Sequence, residues 1–103
     1  MIYCFDLDGT LCTTVKDGNY LEAKPLRDRI GIVNKLYSDG HSIIIDTARG
    51  SVTRKDWKDV TERQLREWGI QYTRLKTGTK TAADVYIDDK GISASLYFND
   101  NRN

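Results

Sequence analysis

The sequence predicts an α/β fold, a parallel sheet flanked by helices, and three observations lead there. Short apolar runs rich in β-branched residues alternate with segments whose apolar side chains recur at helical spacing. The resulting order is strand, helix, strand, helix, strand, short connection, strand, and crossovers of this kind make neighbouring strands parallel. The predicted strands end on reactive side chains: Asp6 and Asp8, Thr47, and Asp88 and Asp89. Parallel sheets collect ligands at the carboxyl ends of their strands, so these groups converge.

Taken in order, Ile2 to Leu7 is an apolar and aromatic run that suits a buried strand, and Asp8-Gly9-Thr10 ends it as a turn. Residues Cys12 to Lys24 are polar with little periodicity, and Gly18-Asn19 marks a turn within them. Pro25 suits the first position of a helix, on which Leu26, Ile30, Val33 and Leu36/Tyr37 form one face before Gly40 stops it. Ser42 to Asp46 contains Ile43-Ile44-Ile45, a run typical of a strand covered on both faces. Thr53-x-x-Asp56 resembles a capping box for a second helix, whose face is Trp57, Val60/Thr61, Gln64/Leu65 and Trp68 and whose stop is Gly69. Ile70 to Leu75 then reads as a third strand and Val85-Tyr86-Ile87 as a fourth.

A chain of 103 residues has room for one domain and one core, here residues 1–103 with a short flap at about 12–24. Sixteen basic and 15 acidic side chains give a formal net charge of +1. That balance offers no footprint for nucleic acid or an anionic membrane. No apolar run approaches the roughly 20 residues of a membrane span. Asp6 and Asp8 interrupt the N-terminal apolar stretch, against a signal peptide. Cys4 and Cys12 read as free thiols in a reducing compartment, and the expected location is cytoplasmic.

Asp6-Leu7-Asp8-Gly9-Thr10 places two carboxylates close together, and Gly9 lets the chain turn directly after Asp8 so that both can face one site. Asp88 and Asp89 end another apolar strand, where adjacent carboxylates repel unless a cation lies between them. Four acids at strand ends suggest a hard divalent ion with oxygen ligands, and Mg²⁺ suits a few carboxylates plus substrate phosphate. A calcium loop is excluded on spacing: the third ligand before the glycine is missing and no glutamate follows at the required place.

Phe5-Asp6-Leu7-Asp8-Gly9-Thr10-Leu11 resembles the first motif of the haloacid dehalogenase superfamily, most of whose members are phosphatases. Thr47-Ala48-Arg49 resembles its second motif, Lys80 takes the place of the third, and Asp88-Asp89 after Val85-Tyr86-Ile87 matches the fourth. The four stand in the family order from Ile2 to about Lys90. The Ala83-Asp84-x-x-Ile87-Asp88-Asp89-Lys90 stretch further resembles small phosphatases of capsule or polysaccharide biosynthesis. The resemblance implies a minimal Rossmann-like, HAD-like sheet and a Mg²⁺-dependent phosphomonoester hydrolase. Asp6 would be the nucleophile and a metal ligand. Asp8 would be the acid/base, its backbone carbonyl also on the metal. Thr47 and Lys80 would hold the phosphoryl group, and Asp88 with Asp89 would complete the metal site. Backbone N–H groups near Leu7 to Thr10, Gly9 and Thr10 among them, would add donors toward the substrate. Lys76 competes with Lys80 for the third motif, and Lys80 is preferred for its distance from Ala83-Asp84. Arg49 reads either as a substrate contact or as a salt-bridged loop arginine. Asp46 departs from the family pattern, His41 reads as a turn residue, and Cys12 is assigned no chemistry.

Neither the interval after the first motif nor that between the second and third can hold a cap domain, so an open, capless site is expected. A sugar phosphate is the favoured substrate, with a nucleic-acid end phosphate as the alternative that the net charge does not support. A phospho-receiver domain is a non-enzymatic alternative, but its acids come in the reverse order and it lacks a counterpart of Asp8; a catalytically silent binding domain is another, against which the intact motifs argue. The chain ends soon after Asp89, so no further strand is expected there, and a homo-oligomer would cover the exposed sheet edge.

Overall fold

The structure, a computed structural model, describes residues 1–16, 18–49, 57–77, 85–88, 92–93 and 97–98. Its strands are β1 (Ile2–Asp6), β2 (Ser42–Thr47), β3 (Arg74–Thr77), β4 (Val85–Asp88) and β5 (Ile92–Ser93). They form one parallel sheet in the order β3-β2-β1-β4-β5. Helix α1 (Arg27–Ser38) connects β1 to β2, and α2 (Lys58–Glu67) connects β2 to β3. This is the α/β architecture expected, with the strand order of a minimal Rossmann-like sheet. The order reverses between β1 and β4, which defines a topological switch point.

Period-two alternation explains the packing. Phe5 of β1 lies in register with Ile45 on one side and Ile87 on the other. These three, with Ile43, join Ile30 and Val33 of α1, Leu65 of α2, and Trp68, Ile70 and Phe98 in one core. Cys4 and Ile44 are also buried, on the other face of the sheet, so the isoleucine run of β2 is covered on both sides. No described helix is long and apolar enough to cross a membrane.

Both helices stop where glycine was expected to stop them. After α2, Gly69 takes φ +70°, its N–H bonds the Arg66 carbonyl, and the Ile70 N–H bonds the Leu65 carbonyl. Gly40 (φ +96°) does the same after α1, with N–H bonds from Gly40 to Tyr37 and from His41 to Leu36. Each pair is a Schellman closure, whose left-handed residue favours glycine.

Three expectations shift. Pro25 is not the first helical residue: it forms a bridge with Cys12, and α1 starts at Arg27. Leu11 accepts the Leu26 N–H, so the chain is still closing the preceding loop at the point expected to be helix. The third strand runs over Arg74–Thr77 instead of 70–75, because Ile70 packs into the core as part of the α2 closure. β5 exists, pairing Ile92 with Ile87 and Ser93 with Asp88, where no further strand was expected. α2 begins at Lys58 after Trp57, without a side-chain cap, and the predicted capping box at 53–56 lies outside the described residues.

Candidate active site

The carboxyl ends of β1, β2 and β4 carry Asp6, Thr47 and Asp88 as their last residues. Because Phe5 pairs with Ile87, Asp6 and Asp88 follow on adjacent strands, on the two sides of the switch point. The crevice outside such strand ends is where open α/β sheets bind ligands. Asp6 is half-buried, and one of its oxygens accepts the Leu7 N–H at 2.9 Å. Thr47 is 2% exposed and its hydroxyl oxygen accepts the Arg49 N–H at 3.2 Å, which leaves the hydroxyl proton as a donor.

Asp46 now has a place. It lies in register with Asp6 on one side and with Lys76 on the other, so the row Asp6, Asp46, Lys76 crosses three strands. Strand spacing puts Lys76 about 10 Å from Asp6 at the backbone. Lys80 and Asp89 lie outside the described residues, so the choice between Lys76 and Lys80 stays with the sequence. Among the described residues no group of three or more His, Cys, Asp or Glu side chains gathers as a metal site.

The loop after β1 is built around one carbonyl. The N–H groups of Thr10, Leu11 and Cys12 all point to the Leu7 oxygen, at 3.1, 2.9 and 3.2 Å. Gly9 takes φ +83°, and its N–H bonds the Cys12 carbonyl at 2.8 Å. A Cβ there would meet the Thr14 methyl at 3.3 Å, so the turn needs glycine for both conformation and space. The donors expected of Gly9 and Thr10 toward phosphate are therefore spent on closing the loop. From α1, the buried Arg29 donates to the Thr10 carbonyl at 3.0 Å and lies 5.3 Å from the Phe98 ring centre. The flap is closed at its base by Thr13 N–H to the Lys24 carbonyl (2.8 Å) and carries a short 3-10 helix (Tyr20–Glu22) capped by Asn19.

Of the two readings of Arg49, the structure shows the salt-bridged loop arginine. Its side chain is 1% exposed and forks onto Asp8, with Nη2 2.8 Å from Oδ1 and Nε 3.0 Å from Oδ2. Nη1 donates to Gln64 Oε1 at 2.6 Å and to Thr61 Oγ1 at 3.2 Å, both on α2. Tyr20 of the flap covers the guanidinium at 4.5 Å and meets Trp57 edge to face at 5.0 Å. Gln64 also donates to the Tyr20 carbonyl at 2.7 Å, so one side chain ties α2, Arg49 and the flap together. Sequence reading placed Thr61 and Gln64 on the core face of α2 without giving them a role. Two polar side chains at core positions were the signal, since buried polar groups need partners.

Cys12 completes this cluster. Its thiol donates to Asp8 Oδ1 at 3.4 Å and to the Leu7 carbonyl at 3.6 Å. Burial, then the negative charge of Asp8, push the thiol from 9.0 up to about 12, against a smaller opposing pull from Arg49. Folding thus favours the neutral thiol, and the stability this contributes is present below pH 9 and lost between 9 and about 12. Neither Cys4 nor Cys12 is in a disulfide, and both are buried. At pH 8 the native protein is expected to resist iodoacetamide at Cys12, while the protein in denaturant reacts at both positions; mass spectrometry of the alkylated chain checks this.

No protein-family model matches the chain, and no curated protein matches it. Two solved structures are similar. A crystal structure of an MCSG target from Vibrio cholerae superposes with a TM-score of 0.76 over 98% of this chain and 90% of that one, at 24% identity. A chain in the structure of a Pnkp1/Rnl/Hen1 complex superposes with a TM-score of 0.61 over 78% of this chain, at 21% identity. The match spans only 28% of that longer chain. Likeness at these identities carries the fold and nothing more.

Proposed function

We propose that the protein is a phosphomonoester hydrolase of haloacid-dehalogenase type, working through a covalent phosphate on Asp6 and acting on a sugar phosphate. The observation that carries this reading is the placement of Asp6 and Asp88 on the two sides of the switch point, with Thr47 on the next strand end. The motif order supports the chemistry, and the resemblance to capsule and polysaccharide phosphatases supports the substrate class.

Asp6 attacks phosphorus with one carboxylate oxygen while the bond from phosphorus to the leaving oxygen breaks. Asp8 gives its proton to that oxygen, and the product alcohol departs. Asp8, now a carboxylate, takes a proton from a water whose oxygen attacks phosphorus, and the Asp6 ester breaks to release inorganic phosphate. Thr47 donates its hydroxyl proton to a phosphoryl oxygen. Hard carboxylate oxygens at the ends of β1 and β4 fit Mg²⁺, with Asp6 and Asp88 as the residues that would hold it, alongside Asp89 and the Asp8 carbonyl. When bound, the ion supplies positive charge that lets an anionic nucleophile approach an anionic phosphate.

Phosphate release from 4-nitrophenyl phosphate and a panel of sugar phosphates, with Mg²⁺ or with EDTA, tests the proposal. Expected is turnover that EDTA abolishes and Mg²⁺ restores, with a sugar phosphate as the best natural ester. Release unaffected by EDTA would overturn the metal assignment. Preference for a phosphorylated oligonucleotide end would overturn the substrate class.

A further inference from the structure

The Arg49 guanidinium takes no part in the steps just given, yet all three of its nitrogens are engaged within the protein. A buried ion pair is weak evidence of a gain in stability, since desolvation offsets most of the attraction. What a fork of two parallel N–H bonds supplies is direction: it fixes the plane and the heading of one carboxylate. Asp8 stands in a turn and is 22% exposed at its side chain, so without the fork only the weak bond from the Cys12 thiol would keep it from rotating toward solvent.

The fork is itself braced. Gln64 and Thr61 hold Nη1 from a helix, and Tyr20 lies across the guanidinium face. Three separate elements, the 47–49 turn, α2 and the flap, thus converge on the carboxylate of Asp8. We infer that Arg49 is a positioning residue for Asp8, aiming the carboxylate that exchanges the proton and receiving its charge once the proton has left. The inference rests on the acid/base reading of Asp8. Its logic is electrostatic: as the proton passes from Asp8 to the leaving oxygen, a full negative charge appears on Asp8 in front of a cation already in place. The same fork then holds Asp8 ready to take the proton of the attacking water.

Leaving-group dependence separates this role from simple structural support. A nitrophenolate departs as a stable anion and needs little help, whereas an alkoxide needs the proton that Asp8 supplies. With the full chain, kcat and KM are measured on a hexose 6-phosphate and on 4-nitrophenyl phosphate for wild type, Arg49→Lys and Gln64→Leu. Circular dichroism and thermal melts are recorded for each. Because hydrolysis of the Asp6 ester is common to both substrates, the comparison is made in kcat/KM, which covers only the steps up to departure of the leaving group. Arg49→Lys keeps the charge and removes the fork; it is expected to lower kcat/KM about 100-fold on the alkyl ester and less than about 5-fold on the aryl ester. Gln64→Leu leaves Arg49 in place without its brace and is expected to lower the alkyl ester's kcat/KM about 10-fold, again sparing that of the aryl ester. It also decides the matter if the lysine variant does not fold. Equal losses of kcat/KM on the two esters, or a higher value on the alkyl ester, would overturn the inference and leave the phosphatase reading standing. Release from neither ester by the wild type would overturn that reading, and this inference with it.

Discussion

Asp6→Asn is expected to lower Mg²⁺-dependent phosphate release at least roughly 1000-fold, with the fold intact. An amide of nearly the same shape cannot attack phosphorus, while Asp8 is clamped by Arg49 and Thr47 is a buried hydroxyl. The change should not harm folding. Asparagine retains an oxygen to accept the Leu7 N–H, and the side chain is only half-buried at the end of β1. Asp6 also lies in register with Asp46, so removing one of two adjacent negative charges is expected not to lower the melting temperature. Steady-state kinetics at saturating Mg²⁺, paired with a thermal melt, check both halves. Undiminished turnover in a contamination-free preparation would sink the nucleophile assignment. A collapse in melting temperature would mean that Asp6 is structural.

What the sequence made legible follows from how local each signal is. The isoleucine run of β2 and the glycines at 40 and 69 act through neighbouring backbone, and the structure has them where they were read. Ile70 misled because apolar character has two causes. It was read as the start of a strand, and it is instead the residue that packs beneath a Schellman closure, beside Leu65. Ile92 and Ser93 form too short a strand to leave a pattern of period two. The strand-end carboxylates Asp6 and Asp88 were legible because motif and strand end coincide. The Arg49 clamp was not, since its acid lies 41 residues away and its acceptors 12 and 15 residues on, in a helix whose approach only the fold determines. The surroundings of Asp46 were hidden for the same reason: its neighbours Asp6 and Lys76 meet it across strands, not along the chain.

The second large effect is on stability, at the residue just before the proposed nucleophile. Phe5→Ala is expected to cost about 3–5 kcal/mol, by the loss of buried surface and the cavity that remains. Phe5 is fully buried in the central strand. Its ring stacks on Phe98 at 6.0 Å and meets Tyr97 edge-on at 6.0 Å, while Ile45 and Ile87 flank it in the sheet. Neither neighbour can move to fill the space without breaking the strand pairing that holds it in register with Phe5. Against a total of roughly 5–15 kcal/mol for a domain of this size, the loss should lower the melting temperature by at least about 12 °C. Urea titrations of wild type, Phe5→Leu and Phe5→Ala check it, the leucine variant keeping part of the volume and falling between the other two. A cost below about 1 kcal/mol would mean that Phe98 and Tyr97 do not close over Phe5, and that the core beneath the strand-end crevice is looser than these ring contacts require.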